Sequence, residues 1–367
     1  MKLALLQSFL PSRSQGGVGH FTHQLANRLT ARGHAVTVFS LDPPPADATY
    51  AVNQPAPDLP YLRGRLGRCY GFGLWLARQT YEGFDVVHAL GDNHFLRTAT
   101  PVVRTISGAA LAEAWHARKL TTRLMQLSLY PLELLGVARA TAAVGISQNS
   151  NAFFPGARAV IPQGIDTTVF RPAGQKSDAP SILFVGHRLY DRKRAFLLLD
   201  AFQRVVLPVI PEAQLWLVCE DAVVAPGVAC YANLPLATLA DLYRRAWAFC
   251  LPSSYEGFGR PYAEAMASGT PVIATPNPGA REVLAGGRYG VITSPARLGE
   301  TLLAVLRDDA WRERLTIAGL ARVARFDWEQ VVLQYERLYV EAWARKRGGQ
   351  RSALLAAAAP RQGVGDD

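Results

Sequence analysis

Cysteine is scarce. Cys69, Cys219, Cys230 and Cys250 are the four in 367 residues, and they show neither metal spacing nor the density of a secreted, disulfide-stapled fold. The expectation is reduced, packed thiols in a cytoplasmic protein. Long apolar runs are also missing: none reaches the roughly 18 residues that read as a membrane-spanning helix. The opening Lys2-Leu3-Ala4-Leu5-Leu6 runs into a polar, glycine-rich loop with no clear cleavage site, so it reads as a first buried strand and not as an export signal. No Asp-x-Asp pair offers a metal site. No zinc-finger, RNA-binding aromatic or helix-turn-helix pattern makes nucleic acid the partner.

Positive charge, by contrast, is in excess. Lys plus Arg number 39 against 29 Asp plus Glu, a formal net charge of +10. The partners this implies are anionic: nucleotide phosphates, an acidic lipid surface or an anionic acceptor. The length suits two domains, each with its own core.

Strand, loop and helix alternate along the chain, the pattern of a parallel α/β sheet. Leu3–Leu10 reads as a strand, Phe21–Ala31 as a helix stopped by Gly33, and Ala35–Ser40 as the next strand. The intervening Gly17-Val18-Gly19 lacks the third glycine of a dinucleotide fingerprint, although Asp42 sits where a ribose-binding acid would. Strands are expected at 85–88, 101–105 and 142–147, and one helix over 111–137. Small, polar and proline residues over 173–180 mark a linker. A second α/β unit follows, with strands at 181–185, 215–219, 248–251 and 272–274, and a helix runs from the Asp327-Trp328 corner to about Lys346.

The most informative stretch is Pro252 to Pro271, PSSYEGFGRPYAEAMASGTP. It follows a buried-strand run, brackets Phe258 between Gly257 and Gly259, and starts a helix at Pro261 that Gly269 stops. Free N–H groups of Gly257, Phe258, Gly259 and the first helical turn would converge as an anion site. Glu256 on the loop and Glu264 in or near the first turn would repel a phosphate. They suit hydroxyls on either side of it, and hydroxyls flanking a diphosphate describe a nucleotide sugar. The plain alternative is one surface glutamate and one favoured by the helix dipole.

Glu256 and Glu264, with seven residues between them in this setting, resemble the signature of the retaining glycosyltransferases of family 4. The resemblance continues through QGGVGHFTHQLANRLTARGHAVTVFS near the start, DVVHA at 85–89, VIPQGIDTTVFRP at 160–172 and FVGHRLYDRKR at 184–194. It implies the GT-B fold, an α/β class with two Rossmann-like domains facing a deep cleft. The expected limits are 1–172 for an acceptor-side domain, joined by a crossover helix at 327–347, and 173–326 for the nucleotide-sugar domain. Residues 348–367 are expected to be a disordered tail.

The resemblance also assigns roles. Glu256 contacts a donor-sugar hydroxyl and Glu264 the ribose hydroxyls. Arg188 and Lys193 neutralise the leaving diphosphate, while Arg192 and Arg194 read as a solvated basic turn. Gly16 and Gly17 resemble the glycine loop that closes on the donor phosphates, with Gly257, Phe258, Gly259 and Arg260 also on the donor. Transfer with retention through a short-lived oxocarbenium–diphosphate pair needs no metal and no cofactor beyond the nucleotide-sugar co-substrate.

One position departs from the pattern. Where the family often reads Thr-x-His-Gly, this chain has Thr105-Ile106-Ser107-Gly108. Ser107 is shorter than histidine and uncharged, so the expectation is an unusual donor sugar, a deoxyhexose or pentose, or a water filling the gap. His20, His88 and His94 are the candidates to compensate. The acceptor is a glycan, a lipid-linked molecule or a small molecule. Arg63, Arg65, Arg68, Arg118, Lys119 and Arg123 form either a solvated face or a contact with anionic membrane at the inner surface. Two other readings stay open: a phosphorylase or epimerase on the same fold, and a noncatalytic nucleotide-sugar binder.

Overall fold

The computed structural model describes residues 1–12, 17–56, 59–62, 64, 67–117, 119–186, 189 and 192–346. Gly16, Arg63, Arg65, Arg118, Arg188 and the 348–367 tail lie outside the described residues. The chain divides into two compact units: Met1–Ile161 with the chain from Val332 onward, and Pro162–Val331.

The first unit is built on parallel strands β1 (Lys2–Leu6), β2 (Ala35–Phe39), β3 (Ala51–Asn53), β4 (Val86–Ala89), β5 (Val102–Ile106), β6 (Ala142–Gly145) and β7 (Ala159–Val160), in the order β3-β2-β1-β4-β5-β6-β7. β1 and β4 are buried almost end to end, so they read as near-continuous apolar runs without alternation. The order of connection reverses between β1 and β4, the place where open parallel sheets leave a ligand crevice.

Two helical expectations change. The first helix spans Gly17–Ala31, so Gly17 is a helical residue and not part of a loop. The expected 111–137 helix is two, Ala110–His116 and Leu120–Ala138. The Ala110 N–H donates to the Glu133 carboxylate at 2.9 Å. In one straight helix these residues would lie about 35 Å apart at 1.5 Å per residue. One helix ends at His116 and the next starts at Leu120, so the chain folds back and a carboxylate caps the start of the shorter helix.

The last described helix, Trp328–Lys346, enters the first unit at Val332. Tyr335 and Tyr339 are fully buried there. The two ring nitrogens of His88 lie 2.7 Å from the Tyr339 hydroxyl and 2.8 Å from Thr105 Oγ1, which is itself 3.0 Å from the Tyr335 hydroxyl. Burial, followed by the charge of Arg104, lowers the His88 pKa to about 3. His88 is a neutral, hydrogen-bonded core residue, which removes it as a substitute for the missing histidine at 107. Glu336 on the same helix accepts from Arg32 Nε and Nη2 at 2.8 and 2.9 Å and lies 2.9 Å from His34 Nε2.

The second unit carries β8 (Ser181–Val185), β9 (Gln214–Val218), β10 (Val228–Tyr231), β11 (Ala248–Leu251), β12 (Val272–Ala274) and β13 (Val291–Ile292), all parallel in the order β10-β9-β8-β11-β12-β13. Its reversal falls between β8 and β11. The division between units comes earlier than the expected 172/173 boundary because the segment after Pro162 packs here. The Ile165 N–H donates to the Phe326 carbonyl at 2.7 Å, and the Phe170 ring meets Tyr243 at 5.6 Å. The expected linker is anchored as well, with Lys176 Nζ donating to the carbonyls of Ala246 and Gly269 and to Thr270 Oγ1.

The Glu336 clamp has a pH signature. Burial on its own raises the carboxyl, but hydrogen bonds from Arg32 and His34, together with their charges, outweigh it and hold it below the ordinary 4.5. A carboxyl depressed by folding contributes stability above its unfolded value and loses it as pH falls through the folded value. Glu336→Gln should therefore cost about 1 kcal/mol near neutrality, the scale of a partly exposed ion pair. The deficit should shrink below pH 4.5. Calorimetry across pH reads this, and a gap that does not change with pH would refute it.

Candidate functional site

The second unit's switch point brings two loops together. After β8 comes Gly186, where a Cβ would lie 2.4 Å from the Phe184 ring and 3.4 Å from Lys193 Cδ, so only glycine fits. Lys193 Nζ donates back to the Val185 carbonyl at 3.1 Å, over the carboxyl end of β8. Arg188, its expected partner, lies outside the described residues.

The flanking arginines are anchored, although Arg192 stays exposed. Arg194 adopts a left-handed conformation with φ +54°. Its Nε donates to the Pro252 carbonyl at 2.7 Å and its Nη2 to Thr275 Oγ1 at 2.8 Å. Arg192 Nη1 donates to the Tyr255 carbonyl at 2.7 Å and lies 3.2 Å from Glu256 Oε1. The Ser254 N–H closes the link by donating to the Arg192 carbonyl at 2.9 Å. Arg192 and Arg194 thus tie the loop after β8 to the loop after β11. Sequence reasoning missed this because the acceptors are backbone carbonyls far along the chain.

On the second loop Gly259 has φ +92°, and a Cβ there would meet the Tyr262 ring at 2.5 Å. This turn lets the helix Arg260–Ala267 begin at Arg260, with Pro261 tolerated in its first turn. Glu264 is consequently the fifth helical residue, just past the first turn, which weakens a purely dipolar account of it. Both carboxylates are buried and both are engaged. Glu256 Oε1 accepts from Ser253 Oγ at 2.8 Å. Glu264 accepts from the Tyr243 hydroxyl at 3.2 Å and pairs with Arg260 Nη2 at 3.2 Å. Burial, with the Glu264 charge second, pushes the Tyr243 phenol well above its ordinary value, so it stays a donor. Phe258 is buried edge-on to Phe326, ring centres 5.3 Å apart. Asn277 braces the loop: its Nδ2 donates to the Ser253 carbonyl and the Tyr262 hydroxyl, while its Oδ1 caps the next helix at Ala280.

The remaining expected site residues belong to the first unit. Gly17 is exposed, and a methyl group there would meet nothing within 4 Å. Gly19 is the tight one, with a Cβ falling 2.6 Å from the Phe9 carbonyl oxygen. Ser107 is half-buried just past the carboxyl end of β5. His94 is buried against Gly73, its pKa lowered to about 4 by burial and then by Arg104. His20 is exposed.

At this unit's own switch point Ser8, after β1, donates to the carboxylate of Asp92, after β4. Asp92 has φ +52°, and burial pushes its carboxyl up. The signal for it was legible: Gly91-Asp92-Asn93 is a turn triplet directly after a strand.

Gly259→Ala should cost about 1–3 kcal/mol, since it combines left-handed strain with a clash on the Tyr262 ring. Gly17→Ala, in a helix with open space around it, should be neutral or stabilising by up to about 1 kcal/mol. Chemical denaturation of the two variants reads the contrast, and equal costs would contradict the geometry.

Comparison with known proteins gives one consistent outcome. Residues 15–169 match the family model described as Glycosyltransferase Family 4, and residues 179–308 match Glycosyl transferases group 1. Over 359 residues the chain is 32% identical to the phosphatidyl-myo-inositol mannosyltransferase of Mycobacterium tuberculosis, covering 88% of this chain and 93% of that one. Sucrose-phosphate synthase from Thermosynechococcus elongatus shares the fold with a TM-score of 0.74 at 23% identity, over 94% of this chain and 99% of that one. Anabaena HepE, solved in complex with UDP and glucose, gives 0.71 at 18% identity, over 93% and 99%. The two parallel-sheet α/β units are those of the GT-B fold, and the chain belongs to glycosyltransferase family 4.

Proposed function

We propose that this glycosyltransferase moves a sugar from a nucleotide-sugar donor to a hydroxyl acceptor, with retention of anomeric configuration and without a metal. One observation carries the reading. The second unit's switch point holds a lysine, a loop whose Gly257, Phe258 and Gly259 N–H groups have no acceptor among the described residues, and two buried carboxylates. Cation and amides suit a diphosphate, and the carboxylates suit hydroxyls on its two sides. The M. tuberculosis relative is named for mannosyl transfer to a phosphatidylinositol, and the HepE structure holds UDP and glucose. Both lend support to such a donor.

In this reading Glu264 accepts from the ribose hydroxyls and Glu256 from a hydroxyl of the sugar. Arg192 and Ser253 orient Glu256. The bond from the anomeric carbon to the phosphate oxygen breaks, and the acceptor oxygen bonds to that carbon on the same face. The acceptor proton passes to the leaving phosphate oxygen. Lys193, Arg188 and the loop amides stabilise the charge that develops on the diphosphate, a donor set that needs no metal ion to balance it. Gly16, Gly17 and Arg260 complete the donor contacts. Ser107 leaves the far end of the sugar with a short neutral neighbour, which favours a deoxyhexose or pentose donor, or a bridging water. The acceptor is a glycan, a lipid-linked molecule or a small molecule, met at an anionic membrane surface that the chain contacts peripherally.

Nucleotide release from a panel of nucleotide sugars, with and without acceptor, tests the reading. Glu256→Ala and Lys193→Ala should each lower kcat by about 10²–10³, the scale for removing one charge-stabilising group. Release should persist in a chelator, and NMR of the product should show the donor's anomeric configuration. Binding without release would overturn the reading in favour of a sensor. Sugar 1-phosphate released from an oligosaccharide would overturn it in favour of a phosphorylase, and an isomerised nucleotide sugar in favour of an epimerase.

A further inference from the structure

Five of the ten large hydrophobic side chains exposed among the described residues lie between Trp115 and Leu135. The helix Leu120–Ala138 carries seven leucines, yet only Gly136 and Val137 of its 19 residues are buried. Leu120, Leu124, Leu127, Pro131 and Leu135 are all exposed. They recur at i, i+4, i+7, i+11 and i+15, a single stripe about 22 Å long at 1.5 Å per residue. Trp115, 64% exposed on the preceding helix and edge-on to Phe153 at 6.1 Å, adds a further exposed amphipathic ring. A contiguous apolar stripe exposed on a helix ordinarily marks contact with protein or lipid. No helix among the described residues is long and apolar enough to cross a membrane. Whatever covers the stripe must therefore lie alongside it.

The charge pattern selects the occupant. Lys119 and Arg123 are exposed at one end of the stripe. The sequence has no Asp or Glu between Glu113 and Glu133, and Glu133 caps the Ala110 N–H in place of lining the stripe. Along this helix the exposed face is thus apolar with a cationic border, and Glu113, exposed on the preceding helix, is the acid before it in sequence. An anionic lipid surface would complement the cations.

We propose that this face docks on an anionic phospholipid bilayer. The helix lies in the headgroup plane, the leucine stripe and Trp115 enter the acyl boundary, and Lys119 and Arg123 meet lipid phosphates. The proposal rests on the reading of peripheral membrane contact, not on the transfer chemistry.

Co-sedimentation of the full chain with vesicles of phosphatidylcholine alone, or mixed equally with phosphatidylglycerol, tests it. Wild type should bind the mixed vesicles and weaken with added salt. Leu124→Glu with Leu127→Glu should reduce binding about tenfold or more, the loss expected for two buried leucines. Lys119→Glu and Arg123→Glu should each reduce it about fivefold and flatten the salt dependence. All of these residues are exposed, so circular dichroism and the thermal midpoint should match wild type, and donor-dependent nucleotide release should be unchanged. That last readout separates failure of docking from failure of the enzymatic reading. No binding to mixed vesicles at low salt would overturn the proposal. So would binding that the double leucine variant leaves intact, or a dimer of the free chain that this variant dissociates.

Discussion

Two carboxyl groups cannot be buried beside one loop unless each finds donors, and the second unit is arranged around that requirement. Glu256 is served by Ser253 and Arg192, Glu264 by Tyr243 and Arg260. Each set joins one hydroxyl to one guanidinium, so the carboxylates are oriented before any ligand arrives. The donors come from three places: the loop after β8, the loop after β11 with its helix, and the helix preceding β11. Displacing any one of them disturbs the others. Arg192 sets this linkage most directly, because it holds the Tyr255 carbonyl and the Glu256 carboxylate with the same nitrogen.

Topology explains why the functional groups collect there. In both units the chain leaves the central strand in one direction and returns on the other side, so the loops at the reversal splay apart. The two crevices differ chemically. Lys193, Arg192 and Arg194 crowd the second unit's reversal, whereas Ser8 and Asp92 occupy the first unit's, with Arg104 buried nearby and donating to Asn93. Strain marks both places: Arg194 and Asp92 are each held in the left-handed region at a loop where side-chain hydrogen bonds fix the conformation.

Much of the fold was legible in the sequence. Ser181–Val185, Ala248–Leu251 and Val272–Ala274 match their expected limits because these strands are almost entirely buried and carry an uninterrupted apolar signal. β3, β7, β10 and β13 were not read, being short or only half-buried. The 111–137 helix was read as one because local periodicity does not register a carboxylate returning to cap Ala110. The site was legible in outline through Glu256, Glu264 and the glycines around Phe258. It was illegible where geometry depends on contacts distant in sequence. Arg192 and Arg194 look like surplus charge until their carbonyl acceptors are seen, and Gly17 looks like a loop residue until the helix is seen to begin there.

The two 19-residue helices use apolar residues in opposite ways. Trp328–Lys346 turns Val331, Val332, Tyr335, Tyr339 and Ala342 inward as one stripe and leaves Glu329, Arg337, Glu341 and Arg345 in water. That is the usual settlement between an amphipathic helix and a core. Leu120–Ala138 has leucines inward and outward alike, with its one carboxylate spent on a neighbouring helix. Packing within its unit therefore accounts for one face of this helix and leaves the other without a reason to be apolar. Water alone would have favoured Glu, Lys or Gln at 120, 124 and 127. Leucine at all three positions, with Lys119 and Arg123 exposed at one end, is the observation on which the proposed docking rests.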